Sequence, residues 1–245
     1  MSAFAKRFKK RNKTLASQDV PPVACIPPKQ DAAFVAQMEL VLQVYSRPYD
    51  RKRPVVCMDE QPKQLIREAR TPIKTSTGQQ LIDHEYIREG ICTVWMFNEP
   101  LGGWRSVRVT HRRTAIDWAH QVKTLVDDPR YVDADRITLV CDQLNTHTLA
   151  SLYKAFVPDE ALRLANKLEL IHTPKHGSWL NIAECELSVL TRQCLRERIA
   201  ELEVISTESQ AWTLARNANQ SGVDWQFTTD DARIKLKRLY PNIIE

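Results

Sequence analysis

Glycine is scarce in this chain, with six residues in 245. The only adjacent pair, Gly102-Gly103, sits where a hairpin turn is expected, so no glycine-rich loop is present to cradle a nucleotide's phosphates. No C-x-x-C pair occurs among Cys25, Cys57, Cys92, Cys141, Cys185 and Cys194. Several of these stand inside apolar runs, and all six read as reduced core thiols of a cytosolic protein. No apolar run approaches the ~20 residues that cross a bilayer. The charged N-terminus has no apolar stretch behind it, so no secretory leader is expected. No Ser or Cys lies in a nucleophile-elbow context. His172 and His176 have zinc-ligand spacing only on a helix, and Pro174 stands between them. Repeats and low-complexity tracts are missing. What remains is the 43% hydrophobic, 27% charged composition of a globular protein.

Basic charge is unevenly spread. Lys and Arg number 35 against 30 acids, but Lys6, Arg7, Lys9, Lys10, Arg11 and Lys13 lie in the first thirteen residues with no acid among them. The basic pI therefore comes from a short arm and not from a basic fold. Such an arm can bind nucleic acid by counterion release, and it can equally be a solvated tail. Pro21, Pro22, Pro27 and Pro28 follow and favour an extended linker.

Hydrophobic spacing sets the element order. Phe34, Met38, Val41, Leu42 and Tyr45 share one face of a helix over Asp31–Tyr45. Pro54–Met58 is too short for a helix and reads as a buried strand. Residues 60–90 are polar and unassigned. Ile91–Phe97 and Arg105–Val109 form a hairpin. Thr114–Val126 reads as a helix with Ile116, Ala119, Val122 and Val126 inward. Ile137–Cys141 and Leu168–His172 are strands, with a helix over Thr148–Phe156 between them. Helices over Asn181–Arg198, Thr207–Asn217 and Asp230–Leu239 complete the chain. A hairpin beside the first strand is antiparallel, and strands separated by helices run parallel. The expectation is an α/β fold: a mixed five-stranded sheet with helices on both faces and extra C-terminal helices.

Two strands end in an aspartate, Asp59 and Asp142. As parallel neighbours they would share the carboxyl edge, where ligands of open α/β sheets bind. Paired aspartates repel, and a hard divalent cation removes that penalty. Each one alone is also an ordinary strand-end turn residue. Glu184 lies three residues after Asn181, a candidate N-cap. It is then either the back-bonding member of a capping box or a ligand aimed at the two aspartates. Glu186 lies about 200° around the helix from Glu184, and Glu60 points to the opposite side of its strand from Asp59. Both should face away and tolerate amidation.

The segments Val55-Val-Cys-Met-Asp59-Glu60, Val140-Cys-Asp142-Gln-Leu-Asn-Thr-His147 and Pro174-Lys-His-Gly-Ser-Trp-Leu-Asn-Ile-Ala-Glu184 together resemble the catalytic domain of DDE transposases. They are most similar to bacterial insertion-sequence transposases of the mariner-like superfamily (the IS-six-thirty group). The resemblance implies a ribonuclease-H-like fold and a metal-binding catalytic triad of Asp59, Asp142 and Glu184. It implies two Mg²⁺ or Mn²⁺ ions, bridged by Asp59, with one also held by Asp142 and the other by Glu184. It further implies DNA as partner, both transposon ends and target, a homodimer in the active complex and a cytoplasmic, nucleoid-associated location. Family members often carry Asp-Asn where this chain has Asp142-Gln143, and a more proline-rich third motif. Forty-one residues separate Asp142 from Glu184, longer than is common. Family members usually carry helix-turn-helix domains ahead of the catalytic domain. Here an arm and linker (1–30) precede a helix and basic turn (31–53), the catalytic region (54–198) and a helical extension (199–245). A separate or fuller copy would supply the helix-turn-helix domains. The alternatives are a truncated or co-opted fragment that binds without catalysis, or another ribonuclease-H-like nuclease.

Candidate DNA contacts are the arm residues, Arg112, Arg113, His147, Lys175 and His176. Arg105, Arg108, His111, Arg112 and Arg113 form a basic strand edge open to DNA backbone or to solvent. His147 can orient a phosphate or a carboxylate near Asp142, or simply start a helix. Trp179 is either a base-stacking platform or a core residue.

Overall fold

The computed structural model describes residues 31–81, 83–220 and 222–241. The arm residues Lys6, Arg7, Lys9, Lys10, Arg11 and Lys13 and the proline linker lie outside them. The chain opens with helix α1 (Ala32–Tyr45), capped where the Asp31 carboxylate accepts the Phe34 N–H. Then come β1 (Val55–Glu68), β2 (Ile73–Lys74), β3 (Gln80–Leu81), β4 (Tyr86–Glu99) and β5 (Trp104–Thr110). Helix α2 (Ala115–Val126), β6 (Ile137–Cys141), α3 (Leu149–Ala155), α4 (Pro158–Asn166) and β7 (Leu168–His172) follow. Helices α5 (Ile182–Gln193), α6 (Leu202–Ala218) and α7 (Thr229–Lys235) end the described chain.

The main sheet has the order β5-β4-β1-β6-β7. Strand β1 is antiparallel to β4 and parallel to β6, β4 is antiparallel to β5, and β6 is parallel to β7. This is the mixed five-stranded sheet that the element order implies. Alternation along each strand feeds two cores. Cys57, Val94, Met96 and Val140 pack with α1, α5, α6 and α7. Val56, Met58, Trp95, Leu139 and Cys141 pack with α2, α3 and α4 on the other face.

Several boundaries differ from the sequence expectation. Strands β1 and β4 are each 14 residues long, and residues 60–90 contribute a hairpin that continues the ladder from Cys57↔Asn98 to Glu68↔Tyr86. Its outer half is exposed, so the side chains carry no apolar alternation to announce it. Pro62 is tolerated because its edge of β1 has left β6 behind. The Ile66 N–H on that same edge donates instead to the Ile199 carbonyl at 2.8 Å. A bulge between Leu65 and Ile66 accompanies Gly90, whose φ of +128° a side chain would oppose.

Helix α2 starts with a Thr114–Asp117 capping box. Ile116, expected inward, is 47% exposed. Ala119, Val122 and Val126 are buried as expected, and Trp118 and Leu125 complete the stripe in place of Ile116. The region after Phe156 holds an additional helix, α4, with Pro158 in its first turn. Helix α5 stops at Gln193, short of Arg198, as the chain turns back toward β1. Cys185 is exposed and not a core thiol, whereas Cys57, Cys92 and Cys141 are buried. No described helix is long and apolar enough to cross a membrane.

Helix α5 is locked by charge on the side away from the sheet's carboxyl edge. Glu186 is 4% exposed. Its carboxylate lies 3.0 Å from Arg105 Nε on β5 and 3.0 Å from Arg216 Nη2 on α6. Glu186 does face away from Glu184, but it is buried in an ion triad and not tolerant surface. Arg105 is correspondingly buried rather than lying on a basic edge, and Asn217 brackets its backbone N–H and carbonyl. Removing the anion from such a triad strands two cations. Glu186→Gln should therefore lower stability by about 3–5 kcal/mol, read as a shifted denaturant midpoint with an unchanged slope.

Candidate active site

The site begins where β1 and β6 part. Their parallel ladder runs only from Val55↔Thr138 to Cys57↔Val140. Asp59 stands two residues past its end on β1, and Asp142 directly follows β6. Alternation sends Asp59 and Asp142 toward the α5 side, since Cys57 and Val140 belong to the core beneath that helix. The Met58 carbonyl, unused by β6, accepts the side-chain N–H of Asn181 at 2.9 Å. Asn181 is 1% exposed, and its Oδ1 also accepts the Ala183 N–H at 3.1 Å. One side chain thus caps α5 and fastens its start to the strand that carries Asp59. The Tyr45 hydroxyl adds a second tie by donating to the Leu180 carbonyl at 2.7 Å.

This clamp puts Glu184 in the first turn of α5, at the third helical position. It does not close a capping box, because the Asn181 backbone N–H donates to the Ser178 carbonyl at 2.7 Å. The Glu184 carboxylate instead takes up the Ser178 hydroxyl and faces Asp142. Burial, with Asp142's charge nearby, raises its pKa against the opposing Ser178 hydrogen bond. Asp59 is pushed up to about 8, first by burial and then by the charge of Glu184, with Glu60 and Asp142 adding to it and the Glu60 N–H opposing it. That N–H donates to Asp59 Oδ1 at 2.8 Å. Three carboxylates from β1, the β6 end and α5 therefore feel one another across the crevice.

Behind Asp142 sits His147, with a side chain 1% exposed. Its Nδ1 lies 2.5 Å from Asp142 Oδ1, and its Nε2 lies 3.3 Å from Glu60 Oε2. Burial disfavours the imidazolium, but the two carboxylates outweigh it and raise the His147 pKa to about 11.

Residues 54–205 match the family described as DDE superfamily endonuclease. The chain belongs to that family. Among solved structures, the pre-cleavage Mos1 transpososome aligns with a TM-score of 0.54 at 13% identity, covering 98% of this chain and 71% of the Mos1 chain. The Mos1 mariner paired-end complex with Mn gives 0.52 at 14%, covering 89% and 65%. The Mos1 strand transfer complex gives 0.54 at 14%, covering 89% and 64%. The chain thus spans about two thirds of the Mos1 chain. The likeness shows the fold, which is ribonuclease-H-like. No curated protein matches.

In this member of the family the residues expected from sequence fall into two groups. Asp59, Asp142, Glu184 and His147 come together. Arg113 joins them at the margin, 4.0 Å from Glu60 and half exposed. Arg112 is exposed on the same connection, and Lys175 and His176 are exposed on the β7–α5 loop. That loop is tightly folded, with His176 at φ +64° and Gly177 so close to Pro174 that a Cβ would lie 2.5 Å from its Cγ. His147 is buried and out of reach of a DNA backbone. Arg108 also turns inward, its guanidinium over the Phe97 ring. Trp179 packs edge-on to Phe227 and is a core residue. Glu60 points away from Asp59 as strand alternation requires, yet it reaches the site from behind through His147. Residue spacing gives no sign of this, because His147 arrives from another strand's end.

The donor set is all oxygen and triply acidic, which in chemistry fits a hard divalent ion such as Mg²⁺ or Mn²⁺. Among the described residues no group of three or more His, Cys, Asp or Glu is clustered tightly enough to hold an ion as placed. Gathering the three carboxylates around one requires side-chain movement from these positions.

A carboxyl group whose pKa is raised on folding binds a proton in the native state that the unfolded chain has already lost. Its contribution to stability is present at acid pH and is lost as pH rises from about 4 through about 8. In chelator, Asp59→Asn should therefore raise the melting temperature at pH 8 and leave it nearly unchanged at pH 4. Parallel melting curves of the two proteins across that window test this. An equal gap at both pH values would show that Asp59 is not held under repulsion.

Proposed function

We propose that this chain is the catalytic domain of a transposase that cuts DNA and transfers the cut strand with the help of divalent metal. The observation that carries this is the meeting of Asp59, Asp142 and Glu184 from three separate elements, in a chain whose family is the DDE endonucleases. The fold's likeness to Mos1 complexes, named as paired-end, transpososome and strand-transfer assemblies, the paired-end ones with Mn or Mg, supports DNA as substrate and a divalent ion as cofactor.

Asp59, Asp142 and Glu184 would hold the metal. When bound, the metal supplies Lewis-acid activation of water or a DNA 3′-hydroxyl and stabilises the departing 3′ oxygen. The protein's own part is to fix three anionic ligands on rigid elements. Asn181 sets the register of α5 against β1, so Glu184 faces the aspartates rather than solvent. No covalent protein–DNA intermediate is required, in keeping with a sequence in which no Ser or Cys lies in a nucleophile-elbow context. The exposed Arg112, Lys175 and His176, with the basic arm, would bind phosphates without reading bases.

Asp59→Asn, Asp142→Asn and Glu184→Gln keep side-chain shape and remove an anionic ligand. Each should reduce Mg²⁺-dependent nicking of duplex DNA by about 10²–10³-fold, the scale of losing a principal electrostatic group at a reacting centre. Circular dichroism should be unchanged. Wild-type protein inert on DNA in both Mg²⁺ and Mn²⁺ would favour a binding-only fragment. A strong preference for an RNA–DNA hybrid would favour a ribonuclease.

A further inference from the structure

Two buried groups behind Asp142 are not accounted for by the metal-ligand triad. Glu60 has a side chain only 3% exposed, and that of His147 is 1% exposed. A buried acid and a buried imidazole are costly to keep unless each is matched. They stand within ion-pair distance of each other at 3.3 Å, and the ring's second nitrogen lies 2.5 Å from Asp142 Oδ1, although neither contact has hydrogen-bond alignment as placed. Asp142 itself is about one-third exposed and faces the crevice. The three side chains form a file that runs from the α2–α3 side of the sheet to the site.

The imidazole has little freedom. Its ring stacks on Trp118, with centroids 5.7 Å apart and planes 26° apart. Its backbone N–H donates to the Leu144 carbonyl at 2.9 Å, and its carbonyl lies 2.9 Å from His172 Nε2. The Leu144 N–H also reaches Asp142 Oδ1, at 3.3 Å. Oδ1 is therefore approached from behind by two groups of one short loop, the Leu144 N–H that donates to it and the His147 ring within ion-pair distance. Oδ2 takes no hydrogen bond among the described residues. Glu60 in turn is braced by Arg113 at 4.0 Å.

We propose that Glu60 and His147 are positioning residues for Asp142: they fix one carboxylate oxygen from behind so that the other is presented to a divalent cation. The proposal rests on the metal-site reading above. Groups that orient metal ligands in this way typically contribute 10–100-fold to metal affinity. It also assigns His147 to the protein interior rather than to DNA.

The test uses the full chain and Mn²⁺ as the probe, with free Mn²⁺ followed by electron paramagnetic resonance in the absence of DNA. Glu60→Gln, an isosteric change, and His147→Phe, which keeps a ring against Trp118 but has no nitrogen, should each weaken Mn²⁺ binding about 10–100-fold. His147→Gln retains a donor and should lose less. Trp118→Phe disturbs packing but spares both nitrogens, so it should lower the melting temperature in chelator with little effect on Mn²⁺ affinity. Wild-type Mn²⁺ affinity in folded Glu60→Gln overturns the proposal, and that variant decides the matter if His147→Phe does not fold. A loss in Trp118→Phe equal to that in the His147 variants also overturns it. Wild-type protein that takes up no Mn²⁺ would overturn the metal-site reading itself, a result distinguishable from either.

Discussion

Like charge brought together is the constraint around which this chain is arranged. Asp59, Asp142 and Glu184 share a crevice where burial and mutual repulsion raise the pKa of Asp59 to about 8. No short-range attraction gathers these groups. They are gathered because the elements that carry them are held by other forces, chiefly the two apolar cores that clamp the sheet from either face. Hydrophobic burial at roughly 25 cal/mol per Å² is non-directional. It can offset the repulsion but cannot choose which way a helix faces.

That choice is made by polar contacts at α5. Asn181 joins the first turn to the Met58 carbonyl, and Tyr45 takes the Leu180 carbonyl. Glu186 is drawn to Arg105 and Arg216 on the opposite side. Translation is fixed by the first pair and rotation by the third contact. Together they leave Glu184 one direction, toward the aspartates. The parting of β1 from β6 after Cys57 makes this possible, because it frees the Met58 carbonyl and opens the crevice in the same step.

Much of this is written in local sequence. Strand ends marked by acids, the Asn181 cap and the apolar spacing of α1 are short-range features, and the sheet order follows from the alternation of strands with helices. The outer β1–β4 hairpin is not legible, because residues such as Gln61, Arg67, Arg88 and Glu89 are exposed and carry no periodic signal. Nor were the burial of Arg105 and the grip of Glu60 on His147. Each depends on a partner more than 80 residues away, and charge alone reads as surface until that partner is placed. Ile116 shows the same limit in an apolar residue. Its helix was correctly expected, but Trp118 carries more surface to bury and sets the face.

The pairing of acids separates those matched within the fold from those left without a cation. Glu186 has two arginines, Glu99 has Arg130 and the Tyr131 hydroxyl, Glu169 has Arg47 and Thr138, and Glu60 has His147 with Arg113 beyond it. Each is a withdrawn carboxylate matched by a cation, as burial of charge demands. Asp59 takes only a backbone N–H and Glu184 only a hydroxyl among the described residues. A fold that supplies cations to its other withdrawn acids, yet leaves these two facing each other, has left a deficit of positive charge at one place. That deficit has the sign of a divalent cation, and it lies where β1 and β6 part.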